Sequence, residues 1–212
     1  MAGSYDFEEQ ERLAELKAWW EDNRLFVFGA IAVAIIAYGG FQGWRYWQVR
    51  QAEDAAALYK PVAEAAKLND PAKVASAAEP LIKDHAGTFY ASDAALVAAK
   101  AAFEAGKLDD ARKHLEWVLS HGVEAHRGIA RMRLAGVLLE MKKYDEALKV
   151  LDGNKHPAFV ALAADQRGDV MLAQGRLDEA RAAYKLAIEK ADPRNPVRNL
   201  AETKLNALGG AQ

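Results

Sequence analysis

Three pairs of acidic residues recur along the second half of the chain, and paired carboxylates are the groups that general acid and base catalysis uses. The pairs are Asp109-Asp110, Asp145-Glu146 and Asp178-Glu179. Each pair stands at the same place in a repeated sequence unit, where a helix is predicted to begin. Acidic side chains are common there because they can cap free amides and favour the positive end of the helix dipole. Since active sites rarely occur in three copies, we predict helix starts and no catalytic pair.

The other reactive side chains form no recognisable site. The histidines are scattered along the chain, at His85, His114, His121, His126 and His156. Only His114 and His121 share a predicted helix face, whereas a zinc site needs three or more converging ligands. The chain has no cysteine, and it contains no glycine-rich phosphate loop, nucleophile elbow or His-Glu-x-x-His helix. We therefore predict a protein that is not an enzyme and holds no metal or cofactor, with histidines on the surface or at helix caps.

The charge of the chain is nearly balanced, with 28 basic and 30 acidic residues. Residues 1–24 hold three basic and seven acidic side chains, which leaves 25 basic and 23 acidic beyond residue 44. A nearly neutral main domain lacks the positive surface that binds phosphate groups, so nucleic acid is not an expected partner. Hydrophobic residues make up 51% of the chain and many of them are alanine, which favours closely packed short helices over a sheet.

One segment near the N-terminus is apolar and long enough to cross a membrane. Residues 25–44 contain no charged side chain, and a helix of about twenty residues spans the ~30 Å hydrocarbon core. A cleaved signal peptide would have a short basic start, and a buried helix of a soluble protein would have a polar stripe. We therefore predict an uncleaved transmembrane signal anchor. Its predicted membrane-interface residues are aromatic: Trp19, Trp20, Trp44, Tyr46 and Trp47.

Positive charge differs slightly between the two sides of the anchor. Three basic residues precede it and two follow it closely: Arg12, Lys17 and Arg24, then Arg45 and Arg50. Because positive residues near a membrane span tend to stay on the cytoplasmic side, this small excess favours an N-terminus in the cytoplasm.

Residues 1–24 are predicted to form an amphipathic helix that Asp6 caps together with Glu9. Leu13, Leu16 and Trp20 share one face of it, at spacings of three and four. This segment either lies on the membrane surface or extends the anchor into solvent.

Within the anchor, Gly39 and Gly43 form a pair of small residues four positions apart. Such a pair lets another transmembrane helix approach closely, so the two glycines are a candidate transmembrane contact. The alternative is that they carry no contact, since glycine is common in membrane helices.

From about residue 90 the sequence repeats itself. The intervals between repeats are close to the length of a tetratricopeptide unit, which is roughly 34 residues. The units align on Ala111, Ala147 and Ala180, which are 36 and 33 residues apart. Twelve positions before each of these alanines stands a small residue: Ala99, Ala135 and Gly168. Four positions after each of them stands a larger one: Leu115, Leu151 and Tyr184. Two antiparallel helices that approach closely need small side chains at the contact and larger ones beside it. The pattern predicts helix pairs of tetratricopeptide type.

A degenerate first repeat is predicted over residues 52–68 and 72–84. Ala78 lies 33 residues before Ala111, and Pro80 is expected to interrupt the second helix of this pair. An amphipathic helix over about 197–208 is predicted to cover the last repeat.

The predicted fold is all-α: one N-terminal transmembrane helix followed by a tetratricopeptide-like α-solenoid of about three to four helix pairs and a C-terminal capping helix. The domains are a segment over 1–24, the anchor over 25–44 and a repeat domain over 45–212. The repeat domain starts with a helical linker over 45–51, and its repeats run over about 52–192.

A protein-binding groove is the candidate functional site of the repeat domain. The first helices of tetratricopeptide repeats line a concave face, and the register places there Lys100, Phe103, Met132, Leu139, Asp169 and Leu172. Phe103, Leu139 and Leu172 occupy equivalent positions, so a row of apolar side chains is available to an extended or helical segment of another protein. The alternative is that these side chains pack between neighbouring helices.

The order of these features resembles a known family. An acidic start and a signal anchor are followed by GWRYW over 43–47, and the repeats contain LAADQRGD over 162–169. With these segments in this order, nearly end to end, the chain resembles the YfgM family, the ancillary subunit of the bacterial SecYEG translocon.

This resemblance implies a single-pass protein of the bacterial inner membrane, with its N-terminus in the cytoplasm and its repeats in the periplasm. It implies that the protein acts beside the SecYEG channel together with the membrane-anchored chaperone PpiD. There it would assist the transfer of unfolded secretory chains to periplasmic chaperones. It assigns no catalytic residue. The leading hypothesis is therefore a translocon-associated protein-binding adaptor. The alternative is a scaffold or regulator of an envelope assembly or stress-response complex without a role in translocation.

Overall fold

The computed structural model describes the backbone of residues 3–154 and 156–209 and the side chains of residue 9, residues 11–154 and residues 156–209. In this part of the chain there are helices and no strand, which confirms the all-α prediction. The α-helices are α1 Gly3–Lys67, α2 Pro71–Asp84, α3 Phe89–Glu104, α4 Leu108–His121, α5 Glu124–Glu140, α6 Tyr144–Asp152, α7 Val160–Ala173, α8 Leu177–Lys190 and α9 Pro196–Ala207. A short 3₁₀ helix covers Pro157–Phe159. The side chain of Asp6, the predicted first cap, lies outside the described residues.

Helix α1, Gly3–Lys67, is 65 residues long. It runs continuously through segments that the sequence suggested separately as 1–24, 25–44, 45–51 and 52–68. It ends where Asn69 takes a positive φ of 51°. Asp70 then caps α2, because its carboxylate accepts the amide hydrogens of Ala72 and Lys73 at 3.1 Å. The chain divides into two compact units, Met1–Arg50 and Gln51–Gln212.

The described residues of the first unit, 3–50, are all helical. The apolar side chains of the predicted anchor are exposed on it, Leu25 to 83% and Ile36 to 73%. An apolar surface of this extent is unfavourable in water and is typical of a helix that lies in a membrane. The part of α1 within Glu11–Lys67 is long and apolar enough to cross one.

The second unit consists of four helix pairs and a last helix within the described residues. Residues 51–67 of α1 pack on α2, and α3 pairs with α4, α5 with α6 and α7 with α8. Helix α9 covers the last pair through α7 and α8. This arrangement is the tetratricopeptide-like solenoid with a capping helix that the repeats predicted.

Small residues set the distance between the two helices of a pair. Ala111, Ala147 and Ala180 are fully buried, as the repeat register predicted. One close approach is at Gly168 on α7, where an added Cβ would overlap the ring of Tyr184 on α8. Glycine therefore allows a large buried aromatic residue to lie directly against a helix backbone.

The interpretations of Pro80 and His126 were wrong. Helix α2 runs unbroken through Pro80, because proline removes a single amide donor and the carbonyl of Ser76 that loses this donor belongs to an exposed residue. His126 was expected on the surface or at a cap, but it is 7% exposed and its ring centroid lies 4.5 Å from that of Phe89.

The acidic pairs lie in the first turns of α4, α6 and α8, as predicted, but they do not cap them. The capping positions are Lys107, Lys143 and Arg176, and none of them makes a side-chain capping bond. The acidic residues form ion pairs within or between helices, such as Asp178 with Arg181 at 2.7 Å. They therefore stabilise the helices through their negative charge near the positive end of the helix dipole. Their exposed ion pairs add only a small stabilising energy.

Candidate functional site

An apolar groove of about 520 Å³ opens on the side of the solenoid formed by the first helices of the repeats. Helices α3, α5 and α7 supply its walls, with the 3₁₀ helix at one end. Most of its lining is apolar: Ala99, Phe103, Leu115, Ile129, Met132, Gly136, Val137, Phe159 and Leu162. A volume of this size lies within the range of about 300–1,000 Å³ that protein ligand sites occupy.

The groove is open because the middle of α5 carries a glycine. No heavy atom lies within 4 Å of a Cβ built on Gly136, and this residue occupies the repeat position of Lys100 on α3 and Asp169 on α7. A large side chain at this point would fill the space between α3 and α7. The middle helix of the three, α5, therefore carries no side chain at this point. Phe103 on α3 is 41% exposed and remains accessible beside it.

Three polar side chains complete the lining, namely Lys100, Arg133 and Gln166. Lys100 has a long, exposed ion pair with Glu104 at 3.7 Å. The Arg133 guanidinium donates to the carbonyl of Leu96 at 3.2 Å, and no carboxylate of the described residues lies within 4 Å of it. The lining therefore has two positive side chains and no acidic one.

Gln166 is the unusual polar group of the groove. Its Oε1 atom is buried and has no hydrogen-bond partner among the described residues. A buried polar atom without a partner costs about 1–3 kcal/mol. A ligand that donates a hydrogen bond to this amide oxygen would remove that cost.

The six predicted groove residues have different surroundings. Lys100, Phe103 and Met132 line the groove, although Met132 is 4% exposed. Leu139 packs against the core around α3 to α6, Leu172 is 38% exposed and lies outside the lining, and Asp169 contacts the capping helix. Sequence reasoning missed Ile129, Arg133, Gly136, Phe159, Leu162 and Gln166.

Asp169 belongs to a charged cluster that joins α7, α8 and α9. The ammonium of Lys204 lies 2.8 Å from the carboxylates of both Asp165 and Asp169, and the Tyr184 hydroxyl donates to Asp169 at 2.9 Å. Burial raises the pKa of the Asp165 carboxyl, although Lys204 opposes the shift. Burial also disfavours the charge of Lys204, but its hydrogen bonds to the two carboxylates outweigh burial and raise its pKa. We interpret the cluster as the element that holds the capping helix.

The side chains considered for chemistry are not brought together in the part of the chain that the structure describes. There, no three histidine, aspartate or glutamate side chains form a possible metal site. The acidic pairs stay apart on α4, α6 and α8. Tyr59 donates a hydrogen bond to Asp93, and burial together with this carboxylate raises the pKa of the tyrosine well above its usual range.

On the anchor, Gly39 and Gly43 leave an open strip. Nothing lies within 4 Å of a Cβ built on either residue, so another helix would meet backbone there. The predicted interface residues are 42–63% exposed, namely Trp19, Trp20, Trp44, Tyr46 and Trp47. Their place at a membrane boundary and the contact at the glycines stay predictions.

Comparisons with known proteins agree with this description. The profile of the tetratricopeptide repeat-like domain family matches residues 17–210. A protein of Neisseria gonorrhoeae is 32% identical over 203 residues, which cover 95% of this chain and 97% of the relative. A relative from Haemophilus influenzae is 31% identical, over 97% of this chain and 100% of the relative. A relative from Escherichia coli K12 is 29% identical, over 94% of this chain and 96% of the relative. All three are named ancillary SecYEG translocon subunits.

Proposed function

This chain belongs to the family of ancillary SecYEG translocon subunits, and from that premise we propose that it is a non-enzymatic, membrane-anchored adaptor that binds proteins beside the SecYEG channel. The observation that carries the proposal is the near end-to-end match to these subunits, which includes the anchor as well as the repeats. The apolar groove gives this role a physical basis, because it offers a binding surface to another polypeptide.

The finer parts of the proposal concern place and partners. We propose that the N-terminus is cytoplasmic, that the repeats lie in the periplasm, and that the chain works with a PpiD-type chaperone in the transfer of unfolded secretory chains. The excess of positive residues before the anchor supports this orientation. Tethering near the channel exit supports the role, since it raises the effective concentration of the binding surface there without tight affinity for each client.

The anchor is proposed to contact the channel through its glycine strip. The full chain, purified from membranes in mild detergent, is expected to carry SecYEG with it. The double variant Gly39→Leu with Gly43→Leu should lower the recovered SecYEG roughly tenfold, which corresponds to about 1.4 kcal/mol, because bulky side chains keep two helices apart. Quantitative immunoblots of the channel subunits measure the effect.

A matched control separates the glycine strip from general changes in the anchor. Ala34→Leu with Ala37→Leu places the same leucine side chains on the opposite helix face and should leave the recovery of SecYEG unchanged. Alkaline phosphatase fused after Gln212 should be active in the wild type and in both variants, and an inactive fusion would contradict the orientation. Recovery of the wild-type chain without SecYEG would count against the function itself.

A further inference from the structure

The groove between α3, α5 and α7 has a chemistry that selects among polypeptides. We propose that it binds a short apolar peptide segment that carries an acidic side chain, with a peptide N–H donated to the amide oxygen of Gln166. This inference rests on the proposed adaptor function and specifies the class of client that the repeats hold.

The apolar lining determines what fills the groove. Phe103, Ile129 and Leu162 approach it from three different helices, and Phe159 comes from the 3₁₀ helix. Contact with them removes apolar surface from water on both partners. A volume of about 520 Å³ accommodates a few apolar side chains of a segment rather than a folded domain.

Charge determines which apolar segments are preferred. Lys100 and Arg133 both line the groove, and no acidic side chain does. The only ion pair of Lys100 within the described residues is exposed and 3.7 Å long, and the Arg133 guanidinium has no carboxylate within reach there. An acidic side chain on the segment would complement both groups, whereas a basic one would meet like charge.

The buried oxygen of Gln166 favours a peptide over a lipid tail. A peptide has backbone N–H groups along its whole length. One of them can pair with this acceptor once the partly exposed Gln166 side chain turns its enclosed amide oxygen towards the groove, while the apolar side chains fill the groove. An acyl chain has no donor and would leave the oxygen unpaired. Gly136 permits the approach, because its backbone has no side chain above it.

Two labelled peptides test the proposal on the full chain in lipid nanodiscs. One is the acidic peptide GSLLDLIDSG and the other is its basic counterpart GSLLKLIKSG, each with a terminal fluorophore. Fluorescence anisotropy, corrected for binding to empty nanodiscs, should show at least tenfold tighter binding of the acidic peptide. Arg133→Gln should reduce this preference several-fold, because it removes one of the two positive charges. Equal affinity for the two peptides would overturn the charge argument.

Gly136→Leu is the decisive variant, because the space around a Cβ at this position is open and a leucine side chain would extend into the groove. It should weaken binding of the acidic peptide at least tenfold, while the thermal unfolding midpoint stays the same or rises, since leucine replaces a glycine inside a helix. Ala182→Leu, which places the same leucine side chain on the exposed face of α8, should keep wild-type affinity. Unchanged affinity of Gly136→Leu would overturn the site.

A lipid competitor and the channel give two further outcomes. Dihexanoyl phosphatidylglycerol below its micelle concentration should not displace the acidic peptide, and full displacement would overturn the peptide assignment in favour of a lipid. SecYEG should be recovered with Gly136→Leu as with the wild type, because the anchor is proposed to hold the channel. Loss of peptide binding and loss of SecYEG are therefore separate results, so a failure of the groove is distinguishable from a failure of the adaptor function.

Discussion

Lys204→Met is expected to lower the free energy of unfolding of the repeat domain by about 3–5 kcal/mol, because removal of one partner of a buried ion pair leaves an uncompensated charge. Asp165 is 1% exposed and has only Lys204 as its ionic partner among the described residues. The side chain of Lys204 is itself 25% exposed, so water reaches it and the loss should be near the lower end. Urea unfolding of the full chain in detergent, followed by circular dichroism, measures the change.

Lys185→Met provides the matched control for this variant. Lys185 is exposed on α8 and forms no ion pair within the described residues, so the same substitution should change stability by less than about 0.5 kcal/mol. A loss with Lys204→Met no larger than that of the control would contradict the role of the cluster in holding α9.

The pH dependence of the Lys204→Met variant follows from the raised pKa of Asp165. A carboxyl whose pKa is raised by folding binds its proton more tightly in the folded state, so stability falls as the pH rises through the folded-state pKa. Lys204 is the group that lowers the pKa of Asp165 against the effect of burial. In the variant only contact with solvent opposes the rise in this pKa. Lowering the pH from neutrality should therefore recover part of the lost stability in Lys204→Met as Asp165 takes up its proton, and the control variant should show no such recovery.

Gly168→Ala is the second substitution with a large expected effect. The new methyl group would overlap the ring of Tyr184, which is fully buried and held by Asp169 and Lys204. Because this ring cannot move without a loss of those contacts, we expect a net destabilisation of about 1–3 kcal/mol, as for other overpacked sites. The intrinsic gain of about 1 kcal/mol for alanine over glycine in a helix offsets only part of the clash.

The chain contains a matched control in Gly136→Ala. Both glycines lie inside first helices of repeats, but the space above Gly136 is open. The control should be stabilised by about 0.5–1 kcal/mol in the same urea experiment. Equal effects of the two substitutions would show that helix propensity, and not the approach of α8 to α7, governs stability at Gly168.

The sequence predicts the repeat architecture well because helix–helix distance is encoded by residue size at fixed positions. Ala111, Ala147 and Ala180 are buried contact points, and the small residues twelve positions earlier lie on the facing helices. Pro80 was misinterpreted because the cost of a proline depends on whether the carbonyl that it leaves unpaired reaches water. Sequence spacing alone does not show that exposure.

The groove was only partly predictable from sequence. The register placed Lys100, Phe103 and Met132 on the first helices, and all three line the groove; their part in protein binding stays a prediction. Gly136 was missed because its importance lies in the open space between helices. Gln166 was missed because its importance lies in a missing hydrogen-bond partner. Both features depend on how α3, α5 and α7 are placed together, which sequence spacing does not show. The one available signal was a glycine in the middle of a helix, which commonly has a packing or functional reason.

Asp169 shows the opposite case, in which a correct helix face led to the wrong neighbour. It was placed in the groove by its repeat position, but its partner Lys204 is 35 residues further along the chain. The capping helix has no equivalent in the inner repeats, so no repeat alignment reveals that contact. Terminal repeats are the part of a solenoid that period-based reasoning describes least well.

Site-specific photo-crosslinking from the anchor in native membranes tests the central claim most directly. A benzophenone amino acid at Ile36 would lie on the helix face of Gly39 and Gly43, at spacings of three and seven residues. An adaptor that sits beside the channel should form ultraviolet-dependent adducts with SecYEG subunits from this position, and fewer from Ala34 on the opposite face. Absence of any adduct to a channel subunit, from Ile36 or from any other tested position of 25–44, would contradict the claim.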